Sequence, residues 1–328
     1  APVVTPASLL GQHFWITCYA TLALGFLVAV PADVSRVLVP PSLCGILFFT
    51  ALGRSTEEVT DALRGARLRM AIGLAVARMV LIPLAVLGLA LALCPSWATA
   101  LVLVAAVPSG LSSPTLAGLH RSDSVAPALA IVMLTSVLAP LTLPLLLGLS
   151  AAGTGPDAWT LATEQASYVA VLLGIPWGLS RLVRRAVPTW TERNTPLFRP
   201  IAVACLAFLV FVAAAACRQA LGESSAEVGG LGLLLVTGEA AIIGLLGLGI
   251  AERLPAAEAV AFPCGVIFMN NGLGIALGAR FFPDDARVLV ASALIEVPIL
   301  FGVHVVGTIA NRRATSRMQR EIPRPEWG

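Results

Sequence analysis

Ten apolar runs follow one another along the chain, with only short polar connections between them. A helix needs about 20 apolar residues to cross a bilayer core about 30 Å thick. The runs are continuous, not alternating. This excludes an outer-membrane barrel, whose strands are apolar at every second residue. The runs predict spans at roughly 13–30, 37–53, 69–93, 97–119, 124–148, 166–184, 197–217, 228–251, 256–280 and 286–310. Composition agrees: 58% of the 328 residues are hydrophobic and 12% are charged, against about 25% charged in soluble domains. The first run follows neither a basic segment nor a small-residue cleavage site, so it reads as a retained span. The expected fold class is an all-α membrane protein folded as one unit.

The connections carry further information. Segment 54–68 (RSTEEVTDALRGARL) is polar and reads as a surface helix. Stretch 181–200 is basic, contains Pro188, Pro196 and Pro200, and reads as the joint between two halves. The tail after Asn311 is polar and Arg-rich. All 21 basic residues are Arg. With the N-terminus inside, Arg36, Arg218, Arg280 and Arg287 fall outside, Arg78 falls in neither set, and the other sixteen fall inside. An Arg excess marks the cytoplasmic side. Both termini are therefore expected in the cytoplasm, with the protein spanning an inner (plasma) membrane. The six cysteines show no CxxC spacing, so neither a disulfide framework nor a zinc site is expected.

Spans one to five and six to ten form two five-helix halves. Five is odd, so the second half enters the membrane from the opposite side, as in the inverted repeats of secondary transporters. In chain terms, residues 1–184 hold helices one to five plus helix six, and 185–328 hold the remaining helices and the tail. Spans four and nine correspond. Span four carries Val107-Pro108-Ser109-Gly110-Leu111-Ser112-Ser113-Pro114, and span nine carries Phe262-Pro263-Cys264-Gly265 and then Asn270-Asn271-Gly272. Pro removes a backbone donor and Gly weakens a helix, so both spans are expected to unwind near mid-membrane. Backbone unwound at that depth must be buried in protein or line a watery cavity. Kinks without a site are the plainer alternative for either span taken alone.

Several polar side chains fall at the same depth. Arg78 lies about 13 Å into span three at 1.5 Å per residue. Glu296 on span ten and Glu239 on span eight also reach the midplane. A lone charge there costs at least ~2.5–3.5 kcal/mol on insertion scales, so Arg78 is expected to pair with Glu296 or Glu239. Such a pair either locks helices together or serves transport, with Arg78 attracting an anion or a carboxylate taking up a proton or cation. His304, two turns past Glu296, is a candidate proton relay or a hydrogen-bonded structural residue. Ser109, Ser112, Ser113, Thr115, Thr135 and Ser136, with Asn270 and Asn271 opposite, form an oxygen-rich lining that suits sodium or a polar solute. Taken singly, such hydroxyls bond their own helix backbone. No P-loop, HExxH or GxSxG motif supports an enzyme.

Two stretches, PSGLSSPTLAGLHRSDSVAPALAIVMLTSVLAP and FMNNGLGIALGARFFPDDARVLVASALIEVP, resemble the bile acid/arsenite/riboflavin transporter superfamily. The resemblance extends over nearly the whole chain and includes FTALGRSTEEVTDALRG. It implies ten helices in panel and core domains, with helices four and nine broken and crossed. Asn270, Asn271, Glu296, Val297 and Pro298 are similar to the ending of the arsenite-efflux branch. The bile-acid/sodium symporter branch holds sodium with an Asn, a Glu and a Gln. The resemblance places Pro114, a position near Gly265 and Arg78 there. The arsenite branch's cysteine falls on Ser109.

The expected function is secondary transport of a small, anionic organic solute, coupled to protons or sodium. Substrate contacts are expected from Arg78, Ser109, Ser112, Ser113, Asn270, Asn271 and Glu296. Ion coupling is expected from Ser113, Thr135, Ser136, Glu239 and Glu296. The alternatives are a metalloid efflux carrier, with Cys264 as the soft ligand nearest a break, and a non-transporting receptor of the same fold. The expected partners are the solute and the bilayer, without nucleic acid. No cofactor is expected beyond a sodium ion, and the oligomeric state stays open.

Overall fold

The computed structural model describes residues 14–28, 30, 32–150 and 157–321. The Arg36 side chain and Arg324, both used in the Arg count, lie outside the described residues. The first half of the chain forms α1 (Phe14–Leu27), α2 (Ala32–Leu52), α3 (Thr56–Ala62), α4 (Gly65–Leu93), α5 (Ala98–Ala106), α6 (Ser113–His120) and α7 (Val125–Ser150). The second half forms α8 (Ala158–Ala186), α9 (Pro188–Glu223), α10 (Ala226–Ala251), α11 (Ala256–Ile267), α12 (Asn271–Phe281), α13 (Ala286–Leu294) and α14 (Glu296–Glu321). Among the described residues there is no strand, only an isolated bridge between Ser109 and Met269.

Among the described residues, six helical stretches are long and apolar enough to cross a membrane, seven if α2 and α3, which meet at 97°, count as one bent span. Their outer faces are apolar and uncovered: Leu93 is 79% exposed, Leu141 73% and Leu245 69%. A soluble protein would hide such a belt, whereas lipid tails solvate it.

Among the described helices, α5, α6, α11 and α12 are too short to cross alone. With 9 residues in α5, 8 in α6, 12 in α11 and 11 in α12, each is roughly 12–18 Å long at 1.5 Å per residue. α5 and α11 are enclosed on nearly all sides: every residue from Ala100 to Ala106 and from Glu258 to Ile267 is buried. That burial is why both are apolar around their whole circumference. α11 is gripped by α14, α10, α7 and α6, and α5 by α4, α7 and α13. α9 lies along α1 and α2 and also meets α13, and α8 packs on both α2 and α7.

The connections depart from expectation in two places. The Ser55 hydroxyl accepts from the Glu58 amide and starts α3, which stops at Ala62. Gly65, at φ 55°, then turns the chain into α4. Residues 65–68 thus begin a long helix and do not extend the surface one. Stretch 181–200 is helical almost throughout, with only Val187 between α8 and α9. Pro188 opens α9, where its missing N–H loses nothing. Pro196 and Pro200 are carried inside the helix. Arg181 of α8 donates to the carbonyls of Ala51 and Arg54, and Arg184 donates to Leu52, capping the end of α2.

Candidate functional site

The two interruptions meet. α5 ends at Ala106 and Val107 turns extended; α11 ends at Ile267 and Phe268 turns extended. The two short stretches run antiparallel. The Gly110 amide donates to the Phe268 carbonyl at 2.7 Å, and the Asn270 amide donates to the Pro108 carbonyl at 2.8 Å. Backbone groups freed by one break satisfy those freed by the other, as they must where no water reaches them. The approach is close. A Cβ on Gly110 would stand 2.7 Å from Phe268 Cδ1 and 2.8 Å from the Met269 carbonyl oxygen, so only glycine fits. Pro108 lies in the first break, and Pro114 sits in the first turn of α6, a position open to proline. The expected unwinding at Phe262 to Gly265 does not occur. α11 continues through Pro263 and breaks at Phe268–Asn270.

The first break is closed at its carbonyl end by Arg78. This residue lies in a wider turn of α4, Ala77–Leu81, and is fully buried. Its Nη1 donates to the Ala105 carbonyl at 2.5 Å and its Nη2 to the Val107 carbonyl at 2.8 Å. The last carbonyls of a helix have no partner within it and carry the negative end of its dipole, so a guanidinium is well matched there. Arg78 therefore pairs with neither expected carboxylate: among the described residues none lies within 4.0 Å of it. Glu239 lies within electrostatic reach of it, buried, with both carboxyl oxygens lacking a hydrogen bond among the described residues.

The second break carries different chemistry. Asn271 Nδ2 donates to Glu296 Oε2 at 3.1 Å, with both side chains buried. The Tyr168 hydroxyl of α8 faces the Asn270 side chain, whose Oδ1 has no hydrogen-bond partner among the described residues. His304 is not linked to Glu296 by a hydrogen bond; its Nδ1 meets the Tyr19 hydroxyl at 2.6 Å, and its ring stacks on Trp15 at 4.1 Å.

The expected hydroxyl cluster divides. Thr135 Oγ1 accepts from the Ser109 amide at 3.3 Å and donates to the Ile131 carbonyl at 2.8 Å. Ser113 Oγ donates to the Gly110 carbonyl at 2.7 Å, and Thr115 bonds Thr50 of α2 at 2.7 Å. These three hydroxyls serve backbone and packing. Ser109 Oγ and Ser112 Oγ are buried without partners among the described residues, and Ser136 is buried. Cys264 is buried inside α11.

A cavity of about 240 Å³ opens beside α6, lined by Thr50, Arg54, Thr115, Gly118, Thr195 and Arg199 among others. Arg199 donates to the Gly118 carbonyl at 3.0 Å, and Arg54 stands 3.7 Å from Glu58. The two guanidiniums repel each other. The cavity therefore has a positive wall between the α2–α9 cluster and the helix that leaves the first break. The site is hidden along the chain: Arg199 falls in the basic joint between the two halves, and nothing local marks Tyr168.

Residues 40–224, more than half of the chain, match the family model for the sodium bile acid symporter family. The chain belongs to that family. No curated protein matches it. Members of the family are transporters, and the apolar helices make this member a multi-pass membrane protein. The matched stretch of the symporter family contains Arg78, the first break and the arginine-lined cavity. It stops before Asn270, Asn271 and Glu296.

Proposed function

We propose that this member of the symporter family is a ten-crossing secondary transporter for a small organic anion. The count takes α5 with α6, α11 with α12, and α13 with α14 as three crossings, beside α1, α2, α4, α7, α8, α9 and α10. Two inverted five-helix halves result. α1, α2, α8 and α9 serve as the panel, and the remaining crossings as the core. The Arg-rich side, with both termini, faces the cytoplasm.

The observation that carries the anion reading is the Arg54–Arg199 cavity. Two guanidiniums that repel each other, in a cavity also lined by threonines, are stabilised by a bound carboxylate, sulfonate or phosphate. At about 240 Å³ the cavity is below the usual ~300–1,000 Å³ of drug-sized sites, so the solute is small. Arg78, occupied by carbonyls, is not the anion's partner. The orphaned Ser109 Oγ, Ser112 Oγ and Asn270 Oδ1 offer the solute neutral contacts at the crossing. Glu296, held by a single amide, is the group that takes up and releases a coupling proton.

The test is a thermal-shift screen of small carboxylates, sulfonates, phosphates and arsenite on the purified protein, followed by proteoliposome flux of each hit. An anion hit whose affinity falls at least about tenfold, ~1.4 kcal/mol, in Arg199→Gln is the expected result. Stabilisation by arsenite alone would sink the anion reading, and binding without flux would point to a receptor.

A further inference from the structure

The carbonyl end of a half-helix at mid-membrane is one of the places where transporters hold a cation. Two features draw positive charge there, the unpaired carbonyls and the negative pole of the dipole, and a low-dielectric surrounding strengthens the pull of both. In this chain the place is the end of α5, and a side chain already stands in it. Both terminal nitrogens of Arg78 are bonded to its carbonyls, at 2.5 Å to Ala105 and 2.8 Å to Val107. The guanidinium is fully buried and has no carboxylate within 4.0 Å among the described residues. It is thus not one half of an ion pair. Its charge is balanced at longer range by Glu239, which is itself without a direct partner among the described residues. The wider turn Ala77–Leu81 marks Arg78 as a local departure from ordinary helix, as is frequent at functional positions.

We propose that the Arg78 guanidinium permanently fills the cation-binding end of α5, so that this break cycles without taking up or releasing a free monovalent cation. A sodium ion could leave with the solute, whereas a tethered guanidinium cannot. The family name implies sodium, but the residues at this end do not fit a free ion while Arg78 is present. The consequence is that any coupling must come from the second break, where Glu296 sits. The proposal rests on the transport reading only for that consequence, because occupancy itself is read as stability.

The experiment removes the tether. Purified Arg78→Ala and Arg78→Met are melted in detergent with sodium, with millimolar guanidinium, or with bulky N-methylglucamine, at two pH values and alongside the unaltered protein. Arg78→Ala, which leaves both space and negative potential, is expected to rise by several degrees with sodium or guanidinium, beyond any shift of the unaltered protein. N-methylglucamine gives no rise. Arg78→Met fills the space without charge and shows no such rise; an equal rise there overturns the proposal. So does an Arg78→Ala protein that ignores both ions, or one stabilised by acid alone, with a proton on Glu239 replacing the cation. Where Arg78→Ala fails to accumulate, it is produced and extracted with guanidinium or sodium present: recovery supports the proposal, and no recovery by either ion overturns it. Ion-dependent shifts in Arg78→Ala without solute flux in the unaltered protein would leave the role of Arg78 standing and remove the transport reading.

Discussion

The two breaks use one backbone device and opposite side-chain chemistry. Each lends an amide and a carbonyl to the other through the Gly110–Phe268 and Asn270–Pro108 hydrogen bonds. At the first break a cation, Arg78, seals the carbonyl end of α5. At the second, an anion-forming side chain, Glu296, is held by Asn271 at the start of α12. The contrast teaches that equivalent backbone can carry unlike side-chain chemistry: a tethered cation closes the first break, and on the proposed reading the second is the one that exchanges a proton. On that reading one crossing divides two demands, with rigidity on the tethered side and exchange on the other.

The comparison can be broken most severely at Gly110. Overpacking costs ~1–3 kcal/mol in ordinary cores, occasionally more. Gly110→Val is expected to exceed about 3 kcal/mol, because its clash includes the Met269 carbonyl, which cannot turn aside. Loss of a cooperative melt in detergent is the readout, and a protein that melts normally would show that the bridge does not hold the breaks together. Next comes the second break. Glu296→Gln is expected to reduce flux at least about tenfold, ~1.4 kcal/mol of transport barrier, and to abolish its pH dependence while the melt shifts little. Unchanged flux would return Glu296 to a structural role. The smallest effect is expected at Gly265, where a Cβ finds ordinary contacts at 3.6 Å from Ile131 and from Ser109 Oγ. Gly265→Ala should stay within about 0.5 kcal/mol, and a large loss there would show that the two sides of the crossing are equally tight.

The breaks were legible because Pro and Gly act locally. Pro108 and Gly110 cannot extend a helix cheaply, and Asn270 beside Gly272 marks the second break. Pro263 does not break α11, because four neighbouring helices pack around it and hold it helical past the missing donor. Arg78 and Glu296 were legible as buried charges, but their partners were not. Hydropathy says that a charge at mid-membrane needs compensation; it does not say whether a carboxylate or two helix-end carbonyls provide it. The Arg54–Arg199 wall was hidden for another reason. It joins the end of α2 to a turn of α9 about 145 residues later, and no pattern along one helix reports such a meeting.

The bridge between the breaks also constrains how the protein is made. Pro108 is synthesised long before Asn270, yet neither its carbonyl nor the Gly110 amide has its final partner until α11 has followed α10 into the bilayer. Contacts so distant in sequence form late. Until then the half-made chain holds unpaired polar backbone between α5 and α6, which water, lipid headgroups or an insertion factor must cover. A chain truncated after α10 should therefore remain a client of membrane quality control, however apolar its helices are.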